Sequence, residues 1–407
     1  MSAAGVVVVG AGLGAVRLAE NLRANGYESP ITLIGAEPYA PYDRPPLSKT
    51  VLLGKDERVD LKPAEFYGDS SITLRLGRRV TAVDPKAKAV TVQSTGGGDA
   101  VQIAYDQLVL ATGLTSRKFP GAEKLTGVHT LRTFDDAVVL RAEIDAARTA
   151  VVIGAGFIGC EVAASLTARG VQVTLVEPAP TPLALALGAQ IGALVTRMHT
   201  ANGVDVRAAI GVDEIVGDPS GAVRAVRLSD GTDVPADIVV VGIGSIPVTD
   251  YLTGSGIELA AREAGGGIAC GPDGSTGAAD VYALGDVANW RDESGAARRV
   301  EHWNHTVDQA AVVAAAIAGG PRAPIKAAVP YFWSDQFGVK IQVLGRPRPD
   351  DDVHVVSDDG ARFLAYYSRD GILTAVAGAG KAGAVMKSRA KLQTPTPIDE
   401  VLPPHQS

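Results

Sequence analysis

The sequence predicts an α/β fold, and three observations carry that prediction. The valine run Val6–Val9 leads into Gly10-Ala11-Gly12-Leu13-Gly14-Ala15, and residues 151–153 lead into Gly154-Ala155-Gly156-Phe157-Ile158-Gly159. Each glycine turn precedes a helical run, a second apolar β-run and an acid, Glu37 in the first copy and Glu177 in the second. The third observation is regular alternation near the C-terminus, at 339–344, 353–357, 362–368 and 372–377, with polar turns at Asp358-Asp359-Gly360 and Arg369-Asp370-Gly371. Together these imply two Rossmann-like dinucleotide-binding domains followed by a C-terminal α+β domain.

In the first copy, Gly10 makes the tight turn, Gly12 lets a pyrophosphate approach the backbone, and Ala15, at the third position, lets helix and strand pack closely. Gly154, Gly156 and Gly159 repeat those roles in the second, where Phe157 and Ile158 open the helix. A helix N-terminus offers free amides and a positive dipole end to phosphates. Between the copies, 105–113 read as a buried strand ending in the small-residue turn Ala111-Thr112-Gly113. A similar strand and turn ends at Gly242-Ile243-Gly244, and a third ends at Gly285-Asp286. Gly96–98 and Gly265–267 read as hairpin turns, and a short helix is expected at about 381–391. Residues 395–407 are expected to form a loose tail.

Composition bounds the function. A chain of 407 residues with 46% hydrophobic and 20% charged residues suits two to three globular domains. A net charge of −7 argues against broad nucleic-acid binding. Cys160 and Cys270 are too few for a disulphide framework or a four-cysteine zinc site, which fits a reducing cytoplasm. The N-terminal apolar run has no charged segment before it, and 310–318 is too short to span a bilayer, so no membrane association is expected. No metal site is expected; His302 and His305 read as polar positions at a helix start.

The segments Pro41-Tyr42-Asp43-Arg44-Pro45-Pro46-Leu47-Ser48-Lys49, Ala111-Thr112-Gly113, Ala283-Leu284-Gly285-Asp286, Glu301-His302-Trp303 and Phe332-Trp333-Ser334-Asp335-Gln336 go further. With the doubled glycine unit they make the chain resemble the NADH-dependent, FAD-containing ferredoxin reductases of bacterial cytochrome P450 and Rieske oxygenase systems. The resemblance implies an FAD domain at 1–115 and 247–322, an NADH domain at 116–246 and a C-terminal domain at 323–407. It implies electrons passing from NADH through FAD, singly, to a [2Fe–2S] ferredoxin, with no general acid or base acting on substrate.

Carried onto this chain, the resemblance puts Gly10, Gly12, Gly14 and Ala15 at the FAD pyrophosphate and Glu37 at the adenosine ribose. Val80 meets the adenine by its backbone, Arg44 and Arg132 add charge-assisted contacts, and Asp286 binds the ribityl chain. Ala111, Thr112, Gly113, Phe157, Ile158 and Gly244 join the cofactor-binding set. Lys49 lies near flavin N5, paired with Glu161. Trp333 lies beside the flavin; Trp303 either lines it or packs in a core. Glu177, followed by no arginine, favours NADH over NADPH. The apolar residues 183–187 read as the loop after that acid.

An acidic ferredoxin would meet a basic patch, and 378–391 carries Lys381, Lys387, Arg389 and Lys391 with no acid. A monomer or weak dimer is expected. Disulphide reductases of similar architecture carry a cysteine pair in the loop after the first helix, whereas 39–49 has none. The alternatives are an NADH oxidase, a reductase of rubredoxin or another acceptor, and an interaction flavoprotein resembling apoptosis-inducing factor.

Overall fold

The computed structural model describes residues 4–291, 295–319 and 329–403. The expected boundary at 322/323 and the end of the tail, 404–407, lie outside the described residues. Two compact units divide the chain.

The first unit comprises Met1–Asp43, Arg58–Thr115 and Ile246–Lys326. Its centre is a five-stranded parallel sheet in the order Val281–Ala283, Gln107–Leu110, β1 (Val6–Val9), β2 (Ile31–Ile34), Ile72–Arg75. All four valines of β1 are buried, as a parallel strand covered on both faces requires. Each such side chain contributes about 1.5–3 kcal/mol of burial. Helix α1 (Leu13–Ala24) joins β1 to β2 and packs on the helix Trp303–Ala318. An antiparallel ribbon, Arg78–Asp84, Ala89–Ser94 and Val101–Ala104, turns at Gly96–98.

The second unit comprises Arg44–Glu57, Ser116–Ser245 and Ala327–Ser407. Its parallel sheet runs Asp205–Ala208, β4 (Gln172–Glu177), β3 (Thr149–Ile153), Ile238–Val241, Val128–His129. Helix α2 (Phe157–Ala168) crosses from β3 to β4. Gly10 donates to the Ile34 carbonyl and Gly154 to that of Val176, both at 2.8 Å, so the two glycine turns leave their sheets at the same register.

The C-terminal sheet is antiparallel, in the order β5 (Tyr331–Gln336), Val339–Gly345, Ile372–Ala379, Phe363–Arg369, Asp352–Asp358. Ile341, Val343, Phe363, Ala365 and Tyr367 share one core with Cys160 and Val162 of α2 and with Leu187 and Ile191 of α3 (Ala184–Ala201). Three expectations change. Residues 183–187 are the entry to α3, with Leu183 and Leu187 buried and Leu185 exposed, rather than a loop. The short helix is Ala382–Lys387 and ends before Lys391. The tail is not loose through its described part: Leu373, Ile398 and Leu402 form a small core, and Ile398 donates to the Gly371 carbonyl at 2.8 Å.

Candidate functional site

The glycine turns divide the labour between folding and binding. A Cβ on Gly10 would stand 2.2 Å from the Ala111 carbonyl oxygen, and φ there is +112°. A Cβ on Gly154 would stand 2.4 Å from the Gly242 oxygen, and one on Gly159 2.0 Å from the Gly154 oxygen. Gly12 and Gly156 differ: a Cβ there meets nothing within 4 Å. They cap α1 and α2, no side chain caps either helix, and neither first turn holds an acid. Open space, free amides and the dipole end suit one phosphate group at each turn, so the residues present fit two dinucleotides.

In the first unit, Gly14 and Ala15 are buried in α1, and Glu37 accepts the Tyr42 hydroxyl at 2.5 Å. Val80 is buried in the ribbon. Ala111 donates to the Val9 carbonyl, Thr112 Oγ1 donates to the Val248 carbonyl at 2.8 Å, and the Gly113 carbonyl accepts the Val248 amide. These bonds set 111–113 beside the β1 turn. Asp286 sits in the short turn Gly285–Val287, whose first amide is held by Gln309 Oε1 at 2.7 Å. Trp303 begins its helix; its indole donates to Asp43 Oδ1 at 3.0 Å, and Arg17 lies 5.6 Å over its ring.

In the second unit, Glu177 ends β4 and its carboxylate accepts the Ala155 amide at 2.6 Å and the Ala179 amide at 2.9 Å. Phe157 packs edge-on to Phe332, whereas Ile158 is exposed. Gly244 has φ +96° and its carbonyl accepts the Arg117 amide. Arg44 Nη1 donates to the Arg132 carbonyl at 2.5 Å, bringing those two together. Trp333 stacks on Tyr331, with Lys340 Nζ 5.6 Å over its ring.

The densest polar cluster surrounds Glu161, which is 2% exposed in α2. Lys49 Nζ donates to its Oε2 at 2.7 Å and to the Pro45 carbonyl at 3.0 Å. Ser48 Oγ donates to Oε2 at 2.5 Å; Ser334 Oγ and the Asp335 amide donate to Oε1 at 2.7 and 3.3 Å. A buried carboxylate is tolerated only with such a complement of partners. Sequence reasoning paired Lys49 with Glu161 but missed Ser48 and Ser334 as partners, although both lie inside quoted segments. Cys160 and Cys270 are buried free thiols, and burial pushes both up in pKa, Cys270 to about 12. Neither is poised as a thiolate. Among the described residues no helix is long and apolar enough to cross a membrane.

Comparison with known proteins matches residues 4–310 to the family described as pyridine nucleotide-disulphide oxidoreductase, and 331–402 to that described as reductase C-terminal. The chain is 37% identical to a ferredoxin–NAD(P)(+) reductase of Sphingomonas sp, over 91% of this chain and 88% of that one. It is 38% identical to the ferredoxin–NAD(+) reductase component of the anthranilate 1,2-dioxygenase system of Burkholderia cepacia, over 85% and 82%. The crystal structure of the covalent putidaredoxin reductase–putidaredoxin complex matches with a TM-score of 0.90 at 30% identity, covering 98% of this chain and 96% of that one. With its doubled glycine turns and C-terminal antiparallel sheet, the chain belongs to the pyridine nucleotide-disulphide oxidoreductase family.

Proposed function

We propose that the protein is an NADH-dependent, FAD-containing ferredoxin reductase, delivering electrons one at a time to a [2Fe–2S] ferredoxin that serves a cytochrome P450 or Rieske-type oxygenase. The observation that carries this reading is the Lys49–Glu161 pair at 2.7 Å. Lys49 lies in the segment after the first dinucleotide unit, where disulphide chemistry needs two thiols, and Glu161 reaches it from α2, while Cys160 and Cys270 are buried outside that segment. The relatives' own roles, one in a dioxygenase system and one joined to putidaredoxin, support the choice of acceptor.

Bound FAD supplies the conversion between two-electron donation by NADH and one-electron delivery to an iron–sulphur protein. The chain binds and orients. Gly12 and Gly156 admit the phosphates to the amides of α1 and α2. Glu37 would accept from the FAD ribose and Glu177 from the NADH ribose. The resemblance assigns Val80, Asp286 and Trp303, and likewise Arg44, Arg132, Lys49 and Trp333, to FAD, with Lys49 as the residue that would meet flavin N5. The domain limits, the basic docking residues Lys387, Arg389 and Lys391, a monomeric or weakly dimeric state and a cytoplasmic location belong to the same proposal.

Cytochrome c reduction by the purified holoprotein with NADH, with and without a [2Fe–2S] ferredoxin, tests it. Strong ferredoxin dependence is expected. Rapid NADH consumption that ignores ferredoxin would favour an oxidase or another acceptor.

A further inference from the structure

Ser334 Oγ, which donates to Glu161 Oε1, also accepts Gln336 Nε2 at 3.0 Å, and Gln336 Oε1 lies 2.9 Å from His199 Nε2. Ser334, Gln336 and His199 are all 0% exposed. An amide oxygen only accepts, so His199 Nε2 carries the proton and donates. The Ser334 hydroxyl has one proton and spends it on the carboxylate. His199 Nδ1 is buried without a hydrogen-bond partner among the described residues, and its ring lies edge-on to Phe337 at 4.9 Å. A charged imidazolium would have nothing to receive its second proton there. Burial accordingly lowers the His199 pKa, and the ring is neutral.

All three bonds point the same way, from His199 through Gln336 and Ser334 to Glu161. Aligned hydrogen bonds in a low-dielectric interior reinforce one another. The Gln336 amide does not relay a proton, so the chain orients and polarises rather than conducts. We propose that His199, Gln336 and Ser334 form a one-way hydrogen-bond chain that fixes Glu161 as the anionic partner of Lys49, with Ser334 and Gln336 as positioning residues. Only the flavin readout below rests on the reductase reading.

The test uses FAD-loaded protein carrying Ser334→Ala, Ser334→Thr or Gln336→Leu. Acetylation of Lys49 by a limiting amine reagent is followed by peptide mass spectrometry, with exposed Lys86 as internal reference. The midpoint potential of the bound flavin is titrated in parallel. An amine tied to a carboxylate is a poor nucleophile, so a Glu161 carboxylate that loses its Oε1 anchor and turns from Lys49 lets the amine react faster. Ser334→Ala is expected to raise the Lys49 rate about tenfold, the scale of one lost hydrogen bond to a charged group. Gln336→Leu should fall between Ser334→Ala and the parent, and Ser334→Thr should restore the parent rate and potential.

Unchanged Lys49 labelling in Ser334→Ala and Gln336→Leu, at parent flavin content and melting temperature, would overturn the chain. If Ser334→Ala does not fold, Gln336→Leu decides alone. Faster labelling with a flavin potential that neither Ser334→Ala nor Glu161→Gln moves would uphold the chain and remove Lys49 from the flavin.

Discussion

Glu177 Oε2 accepts the Ala155 amide at 2.6 Å, which makes the acid ending β4 and the middle of the second glycine turn one rigid piece. The second oxygen is held by the Ala179 amide. On the proposed assignment a ribose diol would meet a fixed acceptor, and a 2′-phosphate would meet a fixed negative charge that Pro178-Ala179-Pro180 does nothing to offset. Glu177→Ala should lower kcat/KM for NADH by about tenfold to a hundredfold, the scale of a charged hydrogen bond, and narrow the preference over NADPH. Steady-state kinetics with both nucleotides would refute the assignment by returning the parent ratio.

Gly156 and Gly159 should part company on substitution by alanine. At Gly156 φ is −70° and the added methyl meets open space, so Gly156→Ala should fold, costing up to about 1 kcal/mol as a poorer N-cap. Its methyl would stand where a phosphate docks, and NADH affinity should drop. At Gly159 the methyl would lie 2.0 Å from the Gly154 oxygen, so Gly159→Ala should fail to accumulate as folded protein. Thermal melting with isothermal titration of NADH separates the two; equal NADH affinity in Gly156→Ala and parent would move the phosphate elsewhere.

The doubled unit was legible because its signals are local: the glycines, the valine run and the helix all fall within about 30 residues. The network around Glu161 was only half legible. Ser334 and Gln336 sit on β5, whose Tyr-Phe-Trp-Ser-Asp-Gln order does not alternate cleanly, so the strand itself escaped notice. His199 carries no local sequence signal, because only tertiary packing buries it. The entry to α3 was misread because Pro178, Pro180 and Pro182 precede it, and because Gly188 kinks the helix at φ +78°.

The Lys49–Glu161 pair should tolerate loss of its two members unequally. Lys49→Met leaves the carboxylate with Ser48, Ser334 and the Asp335 amide. Among the described residues, Glu161→Leu leaves the ammonium with the Pro45 carbonyl as its hydrogen-bond acceptor. Breaking a buried pair costs about 3–5 kcal/mol when the survivor stays uncompensated. Glu161→Leu should therefore lose more thermal stability than Lys49→Met, and Lys49→Met should still slow flavin reduction by NADH. Stopped-flow traces indistinguishable from the parent would remove Lys49 from the reductive step.

Among the basic residues near the C-terminus, Lys387 is exposed and Arg389 half-buried, while Lys391 Nζ is engaged with the Glu400 carbonyl at 2.7 Å. Reversal at Lys391 would disturb the packed tail as well as the charge. Lys387→Glu with Arg389→Glu is the cleaner test. It should raise the ferredoxin concentration needed for half-maximal cytochrome c reduction, most strongly at low salt, with NADH–dye turnover unchanged. An unchanged ferredoxin requirement at low salt would take this patch out of docking.

The buried His199 should also write itself into the acid stability of the second unit. Burial disfavours its charged form, and the bond to Gln336 opposes that only in part, so its pKa lies below the ordinary 6.5. The unfolded chain takes up a proton near pH 6.5; the folded chain waits for a lower pH. Stability rises with pH wherever the unfolded state binds more protons. The contribution is therefore complete above about pH 6.5 and is lost as pH falls toward the depressed folded value. Melting temperature should fall more steeply between pH 7 and pH 5 in the parent than in His199→Leu, even though the variant starts lower for want of its hydrogen bond. His302, whose pKa burial also lowers, belongs to the first unit and is retained in both proteins, so the difference in slope belongs to His199. Parallel slopes would mean that His199 reaches a second partner when charged, and that its ring is not held neutral at the end of the chain to Glu161.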